Sequence, residues 1–297
     1  MLKNKYKQFN YHLMLLPGTI VLLIFSYIPM LGLVMAFQKY VPAKGFFKSK
    51  WVGLDNIIYM INLPDSKLIF ANTLIIAVQK IVVGLIVAIG FALLLNEIRL
   101  KTMKKTIQTL VYLPHFLSWV VLATVVRNIF DYTGPVNSVI QALGGDPIIF
   151  LASNSWFRPI MIITSTWKEF GFDSVVYLAA LTAIDPGLYE AASLDGANRF
   201  HKMIHVTLPG IAPTIVLMTA LSLGKVLNAG FDQIFNLYNP LVYETADIID
   251  TYVYRIGLVD MQYSLATAVG LMKSVIGFIL IMSSNLLAKK FANYQIF

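Results

Sequence analysis

Long apolar runs alternate with short polar segments along the chain, and this pattern dominates the sequence. A helix that crosses the hydrocarbon core of a bilayer, about 30 Å thick, needs about 20 predominantly apolar residues. Six runs reach that length: Leu13–Phe37, Ile69–Leu95, Thr106–Val126, Pro159–Leu181, Ile211–Phe231 and Leu265–Ala288. The sequence therefore predicts an all-α integral membrane protein with six transmembrane helices, built as a single membrane-spanning domain over residues 1–297. The fourth run is the weakest, because the segment WKEFGFD interrupts it.

The composition supports a membrane protein and excludes several other classes. Apolar residues make up 58% of the chain, charged residues make up 13%, and the mean hydropathy is +0.71. A soluble domain carries about a quarter charged residues. The absence of cysteine excludes disulfides, thiol catalysis and cysteine-ligated metals. The net charge of +8 comes largely from basic clusters beside the apolar runs, which fits membrane orientation rather than nucleic-acid binding.

The distribution of Lys and Arg predicts that both termini are cytoplasmic. The basic clusters then lie inside: Lys3, Lys5 and Lys7; Arg99, Lys101, Lys104 and Lys105; Lys289 and Lys290. The outer loops after the third and fifth helices hold only Arg127, Arg158 and Arg255. Residues 38–68 are an exception, because this outer loop holds Lys39, Lys44, Lys48, Lys50 and Lys67. The first run is longer than the roughly 7–15-residue core of a signal peptide, so we expect a retained membrane anchor.

A polar segment between the fourth and fifth runs, DPGLYEAASLDGANRFHKMIHVTLPGIAP at residues 185–213, predicts two short helices. Asp185 is a good N-cap, Pro186 suits the first helical position, and Gly196 suits the left-handed position that ends a helix. We expect Pro209 to stop the second helix just before the next membrane span. Such a cytoplasmic helix pair fits either an interfacial element in the headgroup layer or a docking element for another protein.

This segment resembles the EAA loop of ABC-importer permeases, through Glu190-Ala191-Ala192, Asp195-Gly196-Ala197 and Val206-Thr207-Leu208-Pro209. In that family, the loop between helices four and five forms a coupling helix that sits in a cleft of the nucleotide-binding subunit. The resemblance therefore implies that residues 185–210 of this chain contact a partner ATPase. The residues that it marks for this contact are Glu190, Ala191, Ala192, Asp195, Gly196, Ala197, Phe200, Leu208 and Pro209.

Other stretches resemble the carbohydrate-uptake class of these permeases, typified by the maltose permease subunits. They are WVGLDN at 51–56, NTL at 72–74 and GPVN at 134–137. Residues 231–254 resemble the branch associated with oligosaccharides and polysaccharide fragments, although Asn239-Pro240 stands where many relatives have a Gly-Gly-Pro turn. The resemblance implies import of a sugar, in particular an oligosaccharide, across the bacterial cell membrane. It also implies a homologous second permease, an ABC ATPase dimer and an external sugar-binding protein as partners.

Several alternatives remain open from the residues alone. The chain contains no G-x-x-x-x-G-K-[ST] phosphate loop, so ATP and Mg would bind a partner ATPase, and no catalytic residue or cofactor is expected on this chain. An ion-coupled secondary transporter would need inverted repeats and paired intramembrane carboxylates, and a membrane enzyme would need converging catalytic side chains. An ABC permease for a non-sugar solute would carry the same loop. His201 and His205 lack a third ligand, so no metal site is predicted.

Ionisable side chains inside the runs are candidates for the transport pathway. Placing a charge inside a bilayer costs free energy, so such a side chain is expected to have a function. The ionisable candidates are Lys80, Lys168, Glu169, Lys225 and Lys273. Aromatic faces and planar hydrogen-bonding groups, which suit sugar rings, add further candidates near the polar interruptions. The selected pathway residues are Gln79, Lys80, Trp167, Lys168, Phe170, Tyr177, Asn228 and Asp232. Helix packing, ion pairing between helices and snorkelling are alternative roles for these side chains.

Overall fold

Helices form most of the structure, a computed structural model that describes residues 2–292. The α-helices are α1 Leu2–Leu22, α2 Ile28–Met30, α3 Gly45–Lys48, α4 Asp55–Asn62, α5 Pro64–Glu97, α6 Lys101–Tyr112, α7 Trp119–Ile129, α8 Pro135–Ala142, α9 Asn154–Thr182, α10 Pro186–Leu194, α11 Arg199–Lys202, α12 Leu208–Leu223, α13 Phe231–Leu237, α14 Tyr243–Ala246, α15 Ile249–Tyr254 and α16 Tyr263–Ala292. Two short strands, β1 Gln38–Lys39 and β2 Lys50–Trp51, form an antiparallel hairpin. The side chains of the terminal basic clusters, at Lys3, Lys5, Lys7, Lys289 and Lys290, lie outside the described part of the chain.

Four continuous helical segments within residues 2–292 are long and apolar enough to cross a membrane. They are Tyr11–Phe37, Pro64–Glu97, Arg199–Leu223 and Tyr263–Ser283, and they correspond to the first, second, fifth and sixth apolar runs. The fourth run lies within α9, a single helix of 29 residues. α9 differs from the four apolar segments above because charged residues interrupt it at 167–173.

The third apolar run does not form one straight helix, which corrects the expectation for residues 106–126. α6 tightens into a 3₁₀ turn at Leu113–Phe116, and the chain then bends by 102° before α7 begins. Proline at position 114 has no N–H to continue the α-helical ladder, so the bend follows directly after it. The Ser118 hydroxyl starts α7 by accepting a hydrogen bond from the Val121 N–H at 3.4 Å.

The fifth apolar run ends earlier than the sequence predicts, at Leu223 rather than Phe231. Residues 224–227 form turns, residues 228–230 are irregular, and Gly230 adopts a left-handed conformation with φ of 96°. This conformation is strained for residues with a side chain and favours glycine. The predicted pathway residue Asn228 therefore lies in a break between two helices rather than within a span.

The start of this run also corrects the prediction, because Pro209 does not stop a helix. α11 continues into α12 through a π turn at Met203–Thr207, which gives one segment over Arg199–Leu223. In a regular α-helix the proline ring clashes with the carbonyl four residues earlier. Here the Leu208 N–H bonds the Met203 carbonyl five residues back, so the helix widens immediately before the proline. The first span has the same arrangement, with a π turn at Leu23–Tyr27 ahead of Pro29.

The chain divides into two compact units: Met1–Ser66 with Tyr252–Lys273, and Lys67–Thr251 with Ser274–Phe297. In the first unit, the Asn56 side-chain amide donates hydrogen bonds to the Ala36 and Gln38 carbonyls at 2.9 and 3.0 Å, and so fixes the exit of the first span. The second unit has an apolar core between α5, α9 and α12. Small residues of α5 allow the helices to approach, and the core is Ala88, Ala92, Tyr177, Leu181 and Ile211.

The loop between α7 and α9 is organised around one buried amide side chain. Asn137 in α8 donates to the carbonyls of Asp131 and Ile148, both at 2.9 Å, and accepts from the Ile148 N–H at 2.8 Å. Hydrogen bonds from the N–H and hydroxyl of Thr133 hold the pKa of the Asp131 carboxyl below its usual range. These bonds give the GPVN stretch a structural role, because they order a loop without a disulfide.

We predict that Asn137→Ala destabilises this loop, because buried backbone groups left without partners cost about 1–3 kcal/mol each. The variant should unfold at a lower temperature in detergent, and amide exchange should accelerate first at residues 131–148. Gln141→Ala, an exposed change on the same helix, is the matched control and should leave both measurements unchanged. Equal exchange rates in the two variants would contradict the role given to Asn137.

Candidate functional site

The loop after α9 has the local structure that its sequence predicts. The Asp185 carboxylate accepts a hydrogen bond from the Gly187 N–H at 2.9 Å, which caps the N-terminus of α10. At the other end, Gly196 has φ of 77°, and its N–H bonds the Ser193 carbonyl while the Ala197 N–H bonds the Ala192 carbonyl. This pair of bonds is a Schellman motif. α10 is therefore capped at both ends by residues of its own segment.

α11 begins directly after this cap, with Asn198 as its N-cap; the sequence analysis did not identify this residue. The Asn198 side-chain oxygen accepts from the His201 N–H at 2.9 Å. Two further contacts tie the helices of the loop together. The Lys202 ammonium donates to the Ser193 hydroxyl at 2.7 Å, and the hydroxyls of Tyr189 and Thr207 lie 3.0 Å apart. Because α11 runs on into α12, the loop is joined without a break to a helical segment that is long and apolar enough to cross a membrane.

The surface of the loop is open and partly apolar. Leu188, Leu194 and Phe200 are 53%, 90% and 60% exposed. The other predicted coupling residues are exposed or half-buried. The Glu190 carboxylate is exposed and makes no hydrogen bond or ion pair within residues 2–292, so it does not cap its own helix there. Contiguous apolar side chains with a polar surround mark a surface that another molecule covers.

A cavity of about 210 Å³ lies between α5, α9 and α12 in the second unit. Its lining combines ionisable, hydroxyl and aromatic groups, among them Lys80, Glu169, Phe170, Asp173, Tyr177 and Ser222. Three of the predicted pathway residues, Lys80, Phe170 and Tyr177, are thus brought together. Asp173 was not among the selected pathway residues, although the charged interruption of the fourth run contains it.

A second cavity of about 450 Å³ lies where α7 and α13 meet α9. It is lined by Leu117, Ser118, Trp119, Val120, Lys168, Glu169, Asp232 and Asn236. The predicted residues Lys168 and Asp232 meet here, and Glu169 lines both cavities. Gln79, Trp167 and Asn228 line neither cavity, and all three are exposed.

Lys168 and Glu169 belong to an ionic cluster at the bend between α6 and α7. The His115 Nδ1 lies 2.6 Å from one Glu169 oxygen, and the Lys168 ammonium lies 3.2 Å from the other. The same ammonium donates to the His115 carbonyl at 2.5 Å, and the His115 ring stacks on Phe172 with centroids 4.0 Å apart. Lys168 therefore supplies a hydrogen bond to a backbone carbonyl that the bend leaves outside the helical ladder.

Lys80 has a similar role at the break after α12. Its ammonium donates to the Ala229 carbonyl at 2.7 Å and to the Gln233 side-chain oxygen at 2.5 Å. Gln233 is buried, and its amide donates to the Met161 carbonyl and the Thr164 hydroxyl, both at 2.8 Å. A β-carbon on Gly230 would lie 2.9 Å from the Lys80 nitrogen, so glycine also permits this close approach. Lys80 and Gln233 fix the break in place.

Asn72 and Arg158 form a second anchor that the sequence analysis did not identify. The Arg158 guanidinium donates to the Asn72 side-chain oxygen at 2.6 Å and to the Thr245 carbonyl at 3.0 Å. The Asn72 amide donates to the carbonyls of Glu244 and Asp247 at 3.0 and 3.1 Å. The segment around α14 is thereby held against α5 and α9. The only advance signal was the NTL stretch, whose asparagine lies near the start of the second apolar run.

Comparison with known proteins places this geometry in a family. Residues 80–293 match the family described as "Binding-protein-dependent transport system inner membrane component". The chain is 44% identical over 287 residues to the polygalacturonan/rhamnogalacturonan transport system permease protein YteP of Bacillus subtilis (strain 168), covering 96% of this chain and 89% of that protein.

Two solved structures have the same fold. One is a bacterial ABC transporter involved in the import of the acidic polysaccharide alginate, with a TM-score of 0.90, 39% identity, and coverage of 97% of this chain and 98% of the matched chain. The other is a bacterial alginate ABC transporter in complex with an alginate pentasaccharide-bound periplasmic protein; its TM-score is 0.90 at 38% identity, with 100% and 99% covered. The present chain belongs to the family of inner-membrane components of binding-protein-dependent transport systems.

Proposed function

We propose that this chain is the permease subunit of an ATP-driven importer that carries an oligosaccharide delivered by an external binding protein. The observation that carries the proposal is the doubly capped α10, which is followed by α11 and continues into a membrane-crossing segment. A membrane protein with no phosphate loop of its own needs a partner to hydrolyse ATP, and this loop offers that partner a rigid surface. ATP and Mg then bind the partner, and this chain is the transport subunit.

The coupling surface consists of the nine residues that the EAA resemblance marks. Phe200 within it and the nearby Leu194 supply exposed apolar side chains, and such side chains are typical anchors of a protein interface. The caps at Asp185 and Gly196 satisfy the ends of α10, so a force applied to this helix moves it as one body. Because α11 joins α12 without a loop, that movement passes directly into a membrane span.

The proposed topology has six spans with both termini cytoplasmic. α9 serves as the fourth span, since 29 helical residues measure about 44 Å and exceed the bilayer core. Its charged side chains are accommodated by the ionic cluster with His115 and by the two cavities. The bent pair α6 and α7 serves as the third span, with Pro114 buried at the bend and the His115 carbonyl hydrogen-bonded by Lys168. Residues 185–207 then lie on the cytoplasmic side, where an ATPase can reach them.

The proposed pathway runs along the two cavities that share Glu169. Tyr177 and Phe170 offer ring faces, and the hydroxyl groups of Ser118, Thr166 and Ser222 offer hydrogen bonds, the combination that sugar rings require. Lys80 and Lys168 are positioning residues here, because both are engaged with backbone carbonyls. A homologous second permease would enclose the pathway from the other side.

The relatives favour an acidic oligosaccharide among the possible substrates. YteP is named for polygalacturonan and rhamnogalacturonan, and both solved structures are of alginate transporters. Uronate residues give these polysaccharides a carboxylate on many of their rings. The alginate transporter structure that contains a pentasaccharide-bound periplasmic protein also supports delivery of a short oligosaccharide rather than the polymer.

We predict that Gly196→Asp abolishes transport and co-purification of the ATPase while membrane insertion stays intact. The aspartate would add bulk and charge at a surface that must approach a partner closely. Gly144→Asp is the matched control, because Gly144 also has positive φ, and a β-carbon at either glycine meets nothing within 4 Å. The measurements are pull-down of the ATPase through a tag on this chain, and ATP-dependent uptake in proteoliposomes. Equal loss in both variants, or normal transport by Gly196→Asp, would refute the coupling role.

We also predict a preference of about tenfold or more for acidic over neutral oligosaccharides of equal length, a ratio within reach of selective binding. The assay uses proteoliposomes holding both permeases and the ATPase, with the binding protein outside, and compares labelled oligogalacturonides with malto-oligosaccharides. Uptake that follows an ion gradient and ignores ATP would support a secondary transporter instead. Equal ATP-driven uptake of both sugars would support the importer proposal and contradict the preference for acidic oligosaccharides.

A further inference from the structure

The hairpin after the first span presents lysines in an arrangement that folding alone does not favour. Lys39 and Lys50 lie directly opposite each other in the β1–β2 pair. Like charges in that position repel and destabilise a hairpin. Lys44 and Lys48 lie in the connection between the strands, and all four side chains are exposed. Within residues 2–292, none of the four has a carboxylate within 4 Å. The four lysines are hereafter the hairpin lysines.

Aromatic and aliphatic side chains surround the hairpin lysines and are also exposed. Phe47 at the tip is fully exposed, and Trp51 in β2 is 59% exposed. α4, which follows the hairpin, exposes Ile58 and Tyr59 by 53% and 54%. A basic surface with exposed aromatic and aliphatic groups is typical of segments that lie in the headgroup layer of a bilayer.

The position of the hairpin along the chain fixes its depth. The first membrane-crossing segment ends at Phe37, and β1 begins at the next residue. The Trp51 ring stacks on the Phe37 ring, with centroids 5.8 Å apart. Lys39 is two residues beyond the span, about 7 Å of extended chain. Trp51 and the opposed lysines therefore lie at the edge of the hydrocarbon, where tryptophan and lysine side chains are favoured.

The hairpin is also held rigidly at this depth. The Gln38 amide donates to the Phe46 carbonyl at 2.9 Å, and the Ser49 hydroxyl donates to the Gly45 carbonyl at 2.6 Å. The Val41 N–H donates to the Ser49 hydroxyl at 3.1 Å. With the Asn56 bonds to the end of the span, these contacts keep the hairpin lysines together without a carboxylate to hold them.

We propose that the hairpin lysines and Trp51 form a binding surface for anionic phospholipid headgroups. The lysine ammonium groups pair with lipid phosphates, and Phe47 and Trp51 enter the boundary of the acyl chains. This explains four of the five lysines by which residues 38–68 depart from the usual charge distribution: the hairpin lysines are lipid ligands rather than orientation signals. The lipid proposal depends on the proposed topology in one respect: with both termini cytoplasmic, the surface faces the outer leaflet.

The experiment uses the absence of cysteine from the 297-residue chain, so that an introduced cysteine is the single labelling site. A nitroxide is attached to Phe47→Cys, and the labelled chain is placed in nanodiscs of phosphatidylcholine, or of phosphatidylcholine and phosphatidylglycerol in a two-to-one ratio. The depth of the nitroxide in the bilayer is measured by comparing its relaxation by oxygen, which concentrates in the hydrocarbon, with its relaxation by a water-soluble nickel reagent. Spin-labelled phosphatidylglycerol and phosphatidylcholine lipids, with unlabelled protein, report which headgroup the surface selects. The comparison variant changes Lys39, Lys44, Lys48 and Lys50 to Gln.

We expect the label at position 47 to relax with oxygen, as a group at membrane depth does. The wild-type chain should select phosphatidylglycerol over phosphatidylcholine, and the Gln variant should lose that selectivity by about tenfold or more. Lys67→Gln, which removes an exposed lysine outside the hairpin, is the control and should change nothing. Inorganic phosphate at millimolar concentration should not displace the lipid.

Three outcomes would overturn the proposal. One is a label that relaxes only with the nickel reagent in both lipid mixtures. Another is displacement of the lipid by inorganic phosphate, which would indicate an anion site. The third is a label that the binding protein shields and lipid does not, which would make the hairpin a protein-docking surface. ATP-driven uptake is a separate measurement, so failure of the lipid proposal and failure of the transport proposal are distinguishable.

Discussion

Every break in a membrane helix frees backbone carbonyls, and hydrocarbon offers them no hydrogen bond. The architecture of this protein depends on how those carbonyls are satisfied. Lys80 supplies a donor to Ala229 after α12, and Lys168 supplies one to His115 at the bend between α6 and α7. The two cavities lie beside these two breaks. The same side chains that make the breaks tolerable therefore also line the cavities between the helices.

Asparagine performs the corresponding task in the connecting segments. Asn56, Asn72 and Asn137 each donate to two carbonyls from separate turns of chain, and Asn239 donates to the Leu151 carbonyl. A primary amide suits this role because it carries two donors on one rigid group. A chain without cysteine has no disulfide to order its loops. These amides give ordered loops by hydrogen bonding alone, and three of them fall in the stretches that resemble the carbohydrate-uptake class.

The predictable parts of the fold were those that local chemistry determines. Hydropathy located the first, second and sixth spans, and capping rules located both ends of α10, because these signals act within a few residues. Hydropathy failed at Pro114 and at Leu223, since an apolar run does not record where its backbone leaves the helix. Gln233 and the Asn72–Arg158 pair could not be predicted, because their partners are 69 or more residues away in the sequence. The cavities depend on such distant pairs, so the sequence identified their residues only in part.

The π turn at Met203–Thr207 contains, in effect, one more residue than the α-helical repeat requires. Each residue of an α-helix turns the chain by about 100°, so deleting one residue there would restore a uniform repeat and rotate α11 relative to α12 by about that angle. Phe200 would then face a different direction while α12 kept its place in the membrane. The rotation of α11 relative to α12 about the helix axis is thus set by the single π turn between them. Substitutions within the π turn preserve that rotation, whereas insertion or deletion of a residue there changes it.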